Sequence, residues 1–136
     1  MESVSGVGIA NLCPPAKPTL VVARFTENVS WIHKADPRRM CVLVCNTGAP
    51  MRPAPLKIFQ VPNTGREALC YLRYLTSMLA SQRPLPPISA FVQGRPHCLW
   101  SSENDELCSA ELLEEIDRLS VDAIDRRGGV VGLGSR

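Results

Sequence analysis

The fold is decided by Thr19-Leu20-Val21-Val22-Ala23-Arg24-Phe25, a stretch that is almost continuously apolar. A strand with one solvated face alternates apolar and polar residues, whereas a parallel strand buried on both faces does not. The stretch therefore predicts a buried parallel strand. A second apolar run, Met40 to Cys45, has the same character and ends at the turn residues Asn46-Thr47-Gly48.

The remaining segments complete an alternating α/β pattern. Residues 27–34 predict a short helix, Leu56 to Val61 an edge strand, and Ile88 to Val92 a further strand. Helical spacing of apolar residues predicts a helix over residues 65–81 and a last helix capped by Ser109. This order indicates a three-layer α/β fold with a mainly parallel sheet. The two predicted apolar stripes are Ala68, Leu72, Leu75 and Leu79 on the first helix, and Leu112, Ile116, Leu119 and Ala123 on the last.

The length of 136 residues suits one domain. Composition predicts a flexible leader over 1–17, a single α/β domain over 18–127 and a Gly-rich tail over 128–136. The net charge of +2 indicates no specific nucleic-acid partner. There is no apolar run of the roughly 18 residues that a membrane span needs, and no basic region precedes an apolar run at the N-terminus. We therefore expect neither a membrane span nor a secretory signal, and the oligomeric state stays open.

Six cysteines could form three disulfides, but their contexts favour buried thiols. Cys41 and Cys45 share one face of a predicted strand, and Cys70 lies inside a predicted helix, where free cysteine acts as a small apolar residue. No C-x-x-C pair or zinc spacing is present. We therefore expect reduced thiols in the cytoplasm, with disulfides as the alternative. Cofactors stay unknown: a divalent metal is an alternative without a clear set of ligands.

Two polar segments adjoin the predicted strands and helices. In Pro62 to Ala68, Thr64 and Glu67 have the spacing of a capping box, and Gly65 and Arg66 lie beside the resulting helix N-terminus. Such a terminus attracts negatively charged ligands. The second segment, Phe91 to His97, follows a strand, and open α/β sheets bind ligands at strand ends. Both segments also fit the simpler role of a helix cap and a strand-ending turn.

Four segments follow one another over residues 19–97: Val21 to Trp31, Asn46 to Gly48, Pro62 to Ala68, and Phe91 to Gly94. In this order they resemble a little-characterised domain family of fungi, algae and bacteria. That family is itself similar to the nucleotide-sugar half of A-type glycosyltransferases. The resemblance implies a partial glycosyltransferase-like nucleotide-binding half whose partner is a nucleotide-sugar or another phosphorylated small molecule.

The chain departs from that family after the Gln-Gly turn. Arg95-Pro96-His97-Cys98 stands where the family has an Asp and then an Asp-His pair. Arginine cannot ligate a metal, but it can pair with a phosphate directly. We therefore expect a glycosyltransferase-like domain with reduced or no activity. The alternative is a non-catalytic, truncated relative that acts as an interaction or regulatory domain.

Each candidate residue also has a structural reading. Arg24 either binds the ligand or is a snorkelling side chain. Glu27 and Asn28 either contact a base or ribose, or they start a short helix. His97 is a general base, a phosphate contact or a structural histidine, and Trp31 is expected in the core. The predicted site comprises His97 as the catalytic residue and Arg24, Glu27, Asn28, Asn46, Asn63, Arg66, Gln93 and Arg95 as substrate- or phosphate-binding residues.

Overall fold

The computed structural model describes residues 6–52, 56–95 and 111–118. Residues 111–118 are helical. None of the helices in these ranges combines the length and apolar composition needed to cross a bilayer. The other elements are α1 (Gly6–Ala10), β1 (Thr19–Arg24), a 3₁₀ helix (Ser30–Lys34), β2 (Cys41–Asn46), β3 (Lys57–Gln60), α2 (Arg66–Ser81) and β4 (Ser89–Gln93).

The four strands form one parallel sheet in the order β3-β2-β1-β4. Val22 on β1 pairs in register with Val44 on β2 and with Val92 on β4. The predicted three-layer α/β fold with a mainly parallel sheet is therefore confirmed, and β3 occupies the edge as expected. The central position of β1 explains why its sequence is apolar on both faces.

Two apolar cores cover the two faces of the sheet. Val21 and Leu43 pack with α1 and α2 on one face. Val22 and Val44 pack on the other face with the 3₁₀ helix and with Ile116 of the 111–118 helix. Ile116 is fully buried, as its place in the predicted stripe requires. Ser109, Leu119 and Ala123 lie outside the described residues.

α2 packs on the sheet through a face that the sequence did not predict. The predicted stripe of leucines is exposed, with Leu72 at 59% and Leu79 at 68%. Burial falls instead on Cys70, Tyr74 and Met78, which have equally helical spacing. Burial of the Tyr74 hydroxyl is tolerated because it shares a 2.9 Å hydrogen bond with the Ser89 hydroxyl. Cys70 is buried as one half of a disulfide bond.

Residues 6–17 are part of the folded unit rather than a flexible leader. Ile9 and Ala10 of α1 are buried in the core beneath α2. Cys13 is joined to Cys41 by a disulfide, and Arg83 after α2 donates to the Ala10 carbonyl. Composition suggested a leader because Gly, Ser and Pro are frequent here, but two apolar side chains and one cysteine are enough to fix the segment.

The expectation of reduced thiols is wrong for the described cysteines. Cys41 and Cys45 do share one face of β2, but each faces a second cysteine there. Cys13 bonds to Cys41 and Cys70 to Cys45, with Cα–Cα distances of 5.8 Å in both pairs. The expectation that the protein is cytoplasmic rested on reduced thiols, so it no longer has that support. Cys98 and Cys108 lie outside the described residues.

Peptide mapping tests both disulfides. Trypsin does not cleave before proline and has no site between Cys41 and Cys45. Digestion of the unreduced protein should therefore yield one species in which peptides 1–24, 40–57 and 67–73 are joined, and reductant should separate them. Separate peptides with free thiols before reduction would contradict the assignment.

The chain has only two tyrosines, and both should resist ionisation in the folded state. Burial, followed by the nearby Glu67 carboxylate, raises the pKa of Tyr71 to about 12. Burial also raises the pKa of Tyr74, opposed by its hydrogen bond with Ser89. The unfolded chain loses these protons at lower pH, so stability should fall as pH rises from about 10 towards 12. Tyrosinate absorbance should therefore appear at higher pH in native than in denatured protein; coincident titration curves would refute the burial of both rings.

Candidate functional site

A row of polar side chains closes the carboxyl ends of three neighbouring strands. Arg24, Asn46 and Gln60 are the last residues of β1, β2 and β3, and they lie in register across the sheet. Asn46 is fully buried. Its Oδ1 accepts from Arg24 Nη1 at 3.0 Å, and its Nδ2 donates to Gln60 Oε1 at 2.9 Å. The row therefore joins three strand ends through one amide.

The same side chains hold the turn that follows β2. The Gly48 N–H donates to Asn46 Oδ1 at 3.2 Å, and Asn46 Nδ2 donates to the Ala49 carbonyl at 2.7 Å. Gln60 Nε2 donates to the Gly48 carbonyl at 2.9 Å. The donors and acceptors of the Asn46 amide are thus used inside the protein, which makes Asn46 a structural residue beneath the site.

The turn after β2 lies directly against the end of β1. The Thr47 N–H donates to the Arg24 carbonyl at 2.8 Å. A Cβ on Gly48 would lie only 2.0 Å from the Phe25 carbonyl oxygen. Only glycine can therefore occupy position 48 without moving one of these two backbones.

A second close contact joins β1 to the end of β4. The Gly94 N–H donates to the Ala23 carbonyl at 2.7 Å, and Trp31 Nε1 donates to the Gly94 carbonyl at the same distance. A Cβ on Gly94 would lie 2.7 Å from Glu27 Oε1. Trp31 is buried, so its expected place in the core is confirmed. Its indole also fixes the turn after β4.

These contacts surround a cleft of about 490 Å³ at the carboxyl edge of the sheet. The strand order runs β3-β2-β1 and then jumps to β4, so the order reverses between β1 and β4. The boundary between β1 and β4 is therefore a topological switch point, where open α/β sheets form ligand crevices. Five of the predicted site residues line the cleft: Arg24, Glu27, Asn63, Gln93 and Arg95.

Of the other predicted residues, Asn46 lies beneath the cleft and Asn28 does not line it. The Asn28 side chain is exposed and accepts from the Ser30 N–H at 2.9 Å, which starts the 3₁₀ helix. Arg66 is the first residue of α2, but its side chain lies outside the described part of the structure. His97 also lies outside the described residues. Any role of these last two in the site stays a prediction.

The predicted capping box at the start of α2 is wrong. Gly65, rather than Thr64, is the N-cap residue, and it makes no side-chain cap. Thr64 is exposed, while Glu67 Oε1 accepts from Gln93 Nε2 at 3.3 Å and lines the cleft. The sequence interpretation therefore missed Glu67 and Thr47 as lining residues. Thr47 directly follows a strand end, which is the signal that could have found it.

The cleft carries two guanidinium and two carboxylate groups. Arg24 donates through Nε to the Glu27 carbonyl at 3.0 Å and through Nη1 to Asn46, and no described residue accepts from its Nη2. Glu27 Oε1 accepts from the Phe25 N–H at 2.8 Å. Within residues 6–52, 56–95 and 111–118, no three His, Cys, Asp or Glu side chains form a group suited to a metal. The described cleft thus offers cationic donors and carboxylate acceptors side by side.

Asn46→Ala should lower the free energy of unfolding by about 2–3 kcal/mol, because it leaves Gln60, Ala49 and Arg24 without their buried partner. Denaturant unfolding measures this change. The control is Asn63→Ala, an exposed asparagine in the same cleft, which should change stability by less than about 0.5 kcal/mol. Equal changes in the free energy of unfolding for the two substitutions would show that the hydrogen bonds of the buried row add no stability.

Comparison with curated proteins and with solved structures gives no match. A family model matches residues 20–133, which include β1 from Leu20 onwards, the other three strands and every described cleft residue. The model describes proteins of unknown function and supplies no ligand or reaction. On this match, the chain belongs to the family of proteins of unknown function called DUF3431.

Proposed function

We propose that the cleft binds a phosphorylated small molecule, such as a nucleotide-sugar, and that the protein is a glycosyltransferase-like domain. The observation that carries this proposal is the presence of Arg24 and Arg95 in one cleft at the switch point of a parallel sheet. Guanidinium groups match phosphate oxygens in geometry and charge.

Arg24 is well prepared for such a contact. Its bonds to the Glu27 carbonyl and to Asn46 hold the guanidinium in one orientation before any ligand arrives. A ligand that meets a pre-oriented group loses less free energy in ordering side chains. Nη2 is the nitrogen that we assign to the phosphate.

The start of α2 supports the same ligand class. Asn63 and Glu67 line the cleft on either side of the N-cap residue Gly65. The first N–H groups of a helix have no partner within the helix, and the N-cap residue Gly65 has no side chain with which to bind them. These groups add positive potential beside the two arginines.

The two carboxylates suit the remainder of such a ligand. Glu27 and Glu67 accept hydrogen bonds and cannot donate them while ionised. Sugar hydroxyls are donors, so a phosphorylated sugar or nucleotide would place its phosphate on the arginines and its hydroxyls near the carboxylates. This division supports a sugar-containing phosphate over a simple inorganic anion.

One observation favours the second candidate function, a non-catalytic binding or regulatory domain. Arg95 lines the cleft where the resembling family carries an Asp. A guanidinium group stays protonated and has no acceptor, so it cannot serve as the general base that a carboxylate could be. In this second candidate function, the domain binds the same phosphorylated ligand but does not transfer its sugar.

Calorimetric titration with uridine diphosphate and a uridine diphosphate sugar tests the proposal. Arg95→Ala should weaken binding by about 1.5–3 kcal/mol, since it removes a hydrogen bond to a charged group. The matched control is Arg38→Ala, an exposed arginine that pairs with Asp36 away from the cleft. The Arg38→Ala variant should bind both nucleotides with the affinity of the wild type.

Absence of binding to the wild type would contradict the proposed function. Where the nucleotide-sugar binds, incubation distinguishes the two candidates. Release of uridine diphosphate, as the sugar passes to water or to an added acceptor sugar, would support the transferase. Binding without release, with and without the acceptor sugar, would support the non-catalytic domain.

A further inference from the structure

We infer that Phe25 forms a stacking surface for a ring of the phosphorylated ligand, an inference that rests on the proposed function. Phe25 follows Arg24 at the end of β1, and both line the cleft. The ligand class is therefore narrowed to phosphates that carry a nucleobase or a sugar ring.

The exposure of Phe25 is unusual for an aromatic residue of this chain. Its side chain is 47% exposed, and the other large exposed apolar residues among the described ranges are leucines. Phe59 and Tyr74 are fully buried, and Tyr71 and Tyr74 pack against Phe91. Phe25 has no such ring contact with any described residue. It therefore presents apolar ring surface to a cleft whose other lining is mainly polar.

The backbone of Phe25 is held on both sides. Its N–H donates to Glu27 Oε1 at 2.8 Å, and its carbonyl lies against Gly48. The ring also lies beside Gly48, because its Cδ1 is 3.4 Å from where a Cβ at that position would be. An aromatic side chain on a fixed backbone has few torsions left to order, so stacking a ligand on it costs little entropy.

The chemistry of the neighbours sets the kind of ring. Arg24 provides a cation for phosphate one residue before Phe25, and Glu27 provides an acceptor two residues after it. Bases and the apolar faces of sugars both stack on aromatic rings, and stacking of a base is worth about 1–3 kcal/mol. A nucleotide or phosphosugar can thus engage the cation, the ring and the acceptor together.

Calorimetry with three probes tests this inference: uridine diphosphate, ribose 5-phosphate and inorganic pyrophosphate. Phe25→Ala should weaken uridine diphosphate binding about tenfold or more and leave pyrophosphate binding unchanged. Phe25→Tyr keeps the ring and should retain the wild-type affinity. Leu85→Ala removes another exposed apolar side chain, which is 59% exposed and lies outside the cleft, and should change neither affinity.

Ribose 5-phosphate distinguishes the two kinds of ring. A loss confined to uridine diphosphate assigns Phe25 to the base, and a loss for both ring-containing probes assigns it to the sugar; either result supports the inference. Equal losses for all three probes, or no loss for any probe that binds, would overturn it while the proposed function stands. If the wild type binds none of the three, both proposals fail.

Discussion

The buried amide of Asn46 is the contact on which the carboxyl edge of the sheet depends. It accepts from Arg24 and donates to Gln60, so one side chain connects the ends of β1, β2 and β3. A buried amide is stabilising only when its donors and acceptors are satisfied, and here the backbone of residues 48 and 49 completes the set. The strands and the following turn are therefore specified together.

This constraint reaches the cleft through two glycines. Gly48 brings the turn after β2 against Phe25, and Gly94 brings the turn after β4 against Glu27. Arg24 belongs both to the buried row and to the cleft lining, so the group proposed to bind phosphate is positioned by the fold itself. Binding sites supported in this way hold their geometry without a ligand.

The sequence predicted the strands well because apolar runs are a direct consequence of burial on both faces of β1 and β2. It failed on the face of α2, since the leucines and the set around Cys70 and Tyr74 have equivalent helical spacing. The disulfides were missed because pairing depends on distances between segments far apart in the chain. Five of the predicted site residues share one cleft because strand ends meet by topology. The burial of Asn46 could not be predicted, because it depends on side chains and turns that are distant in the sequence.

Amide hydrogen exchange in the native protein tests most directly whether the polar row holds the carboxyl edge. The N–H groups of Thr47, Gly48 and Gly94 lie in turns but donate to Arg24, Asn46 and Ala23. Our account predicts that these three turn amides exchange as slowly as the interior of β1, because they open only with the sheet. Exchange at the rate of unprotected loop amides would show that the turns move independently of the buried row, and would contradict the account.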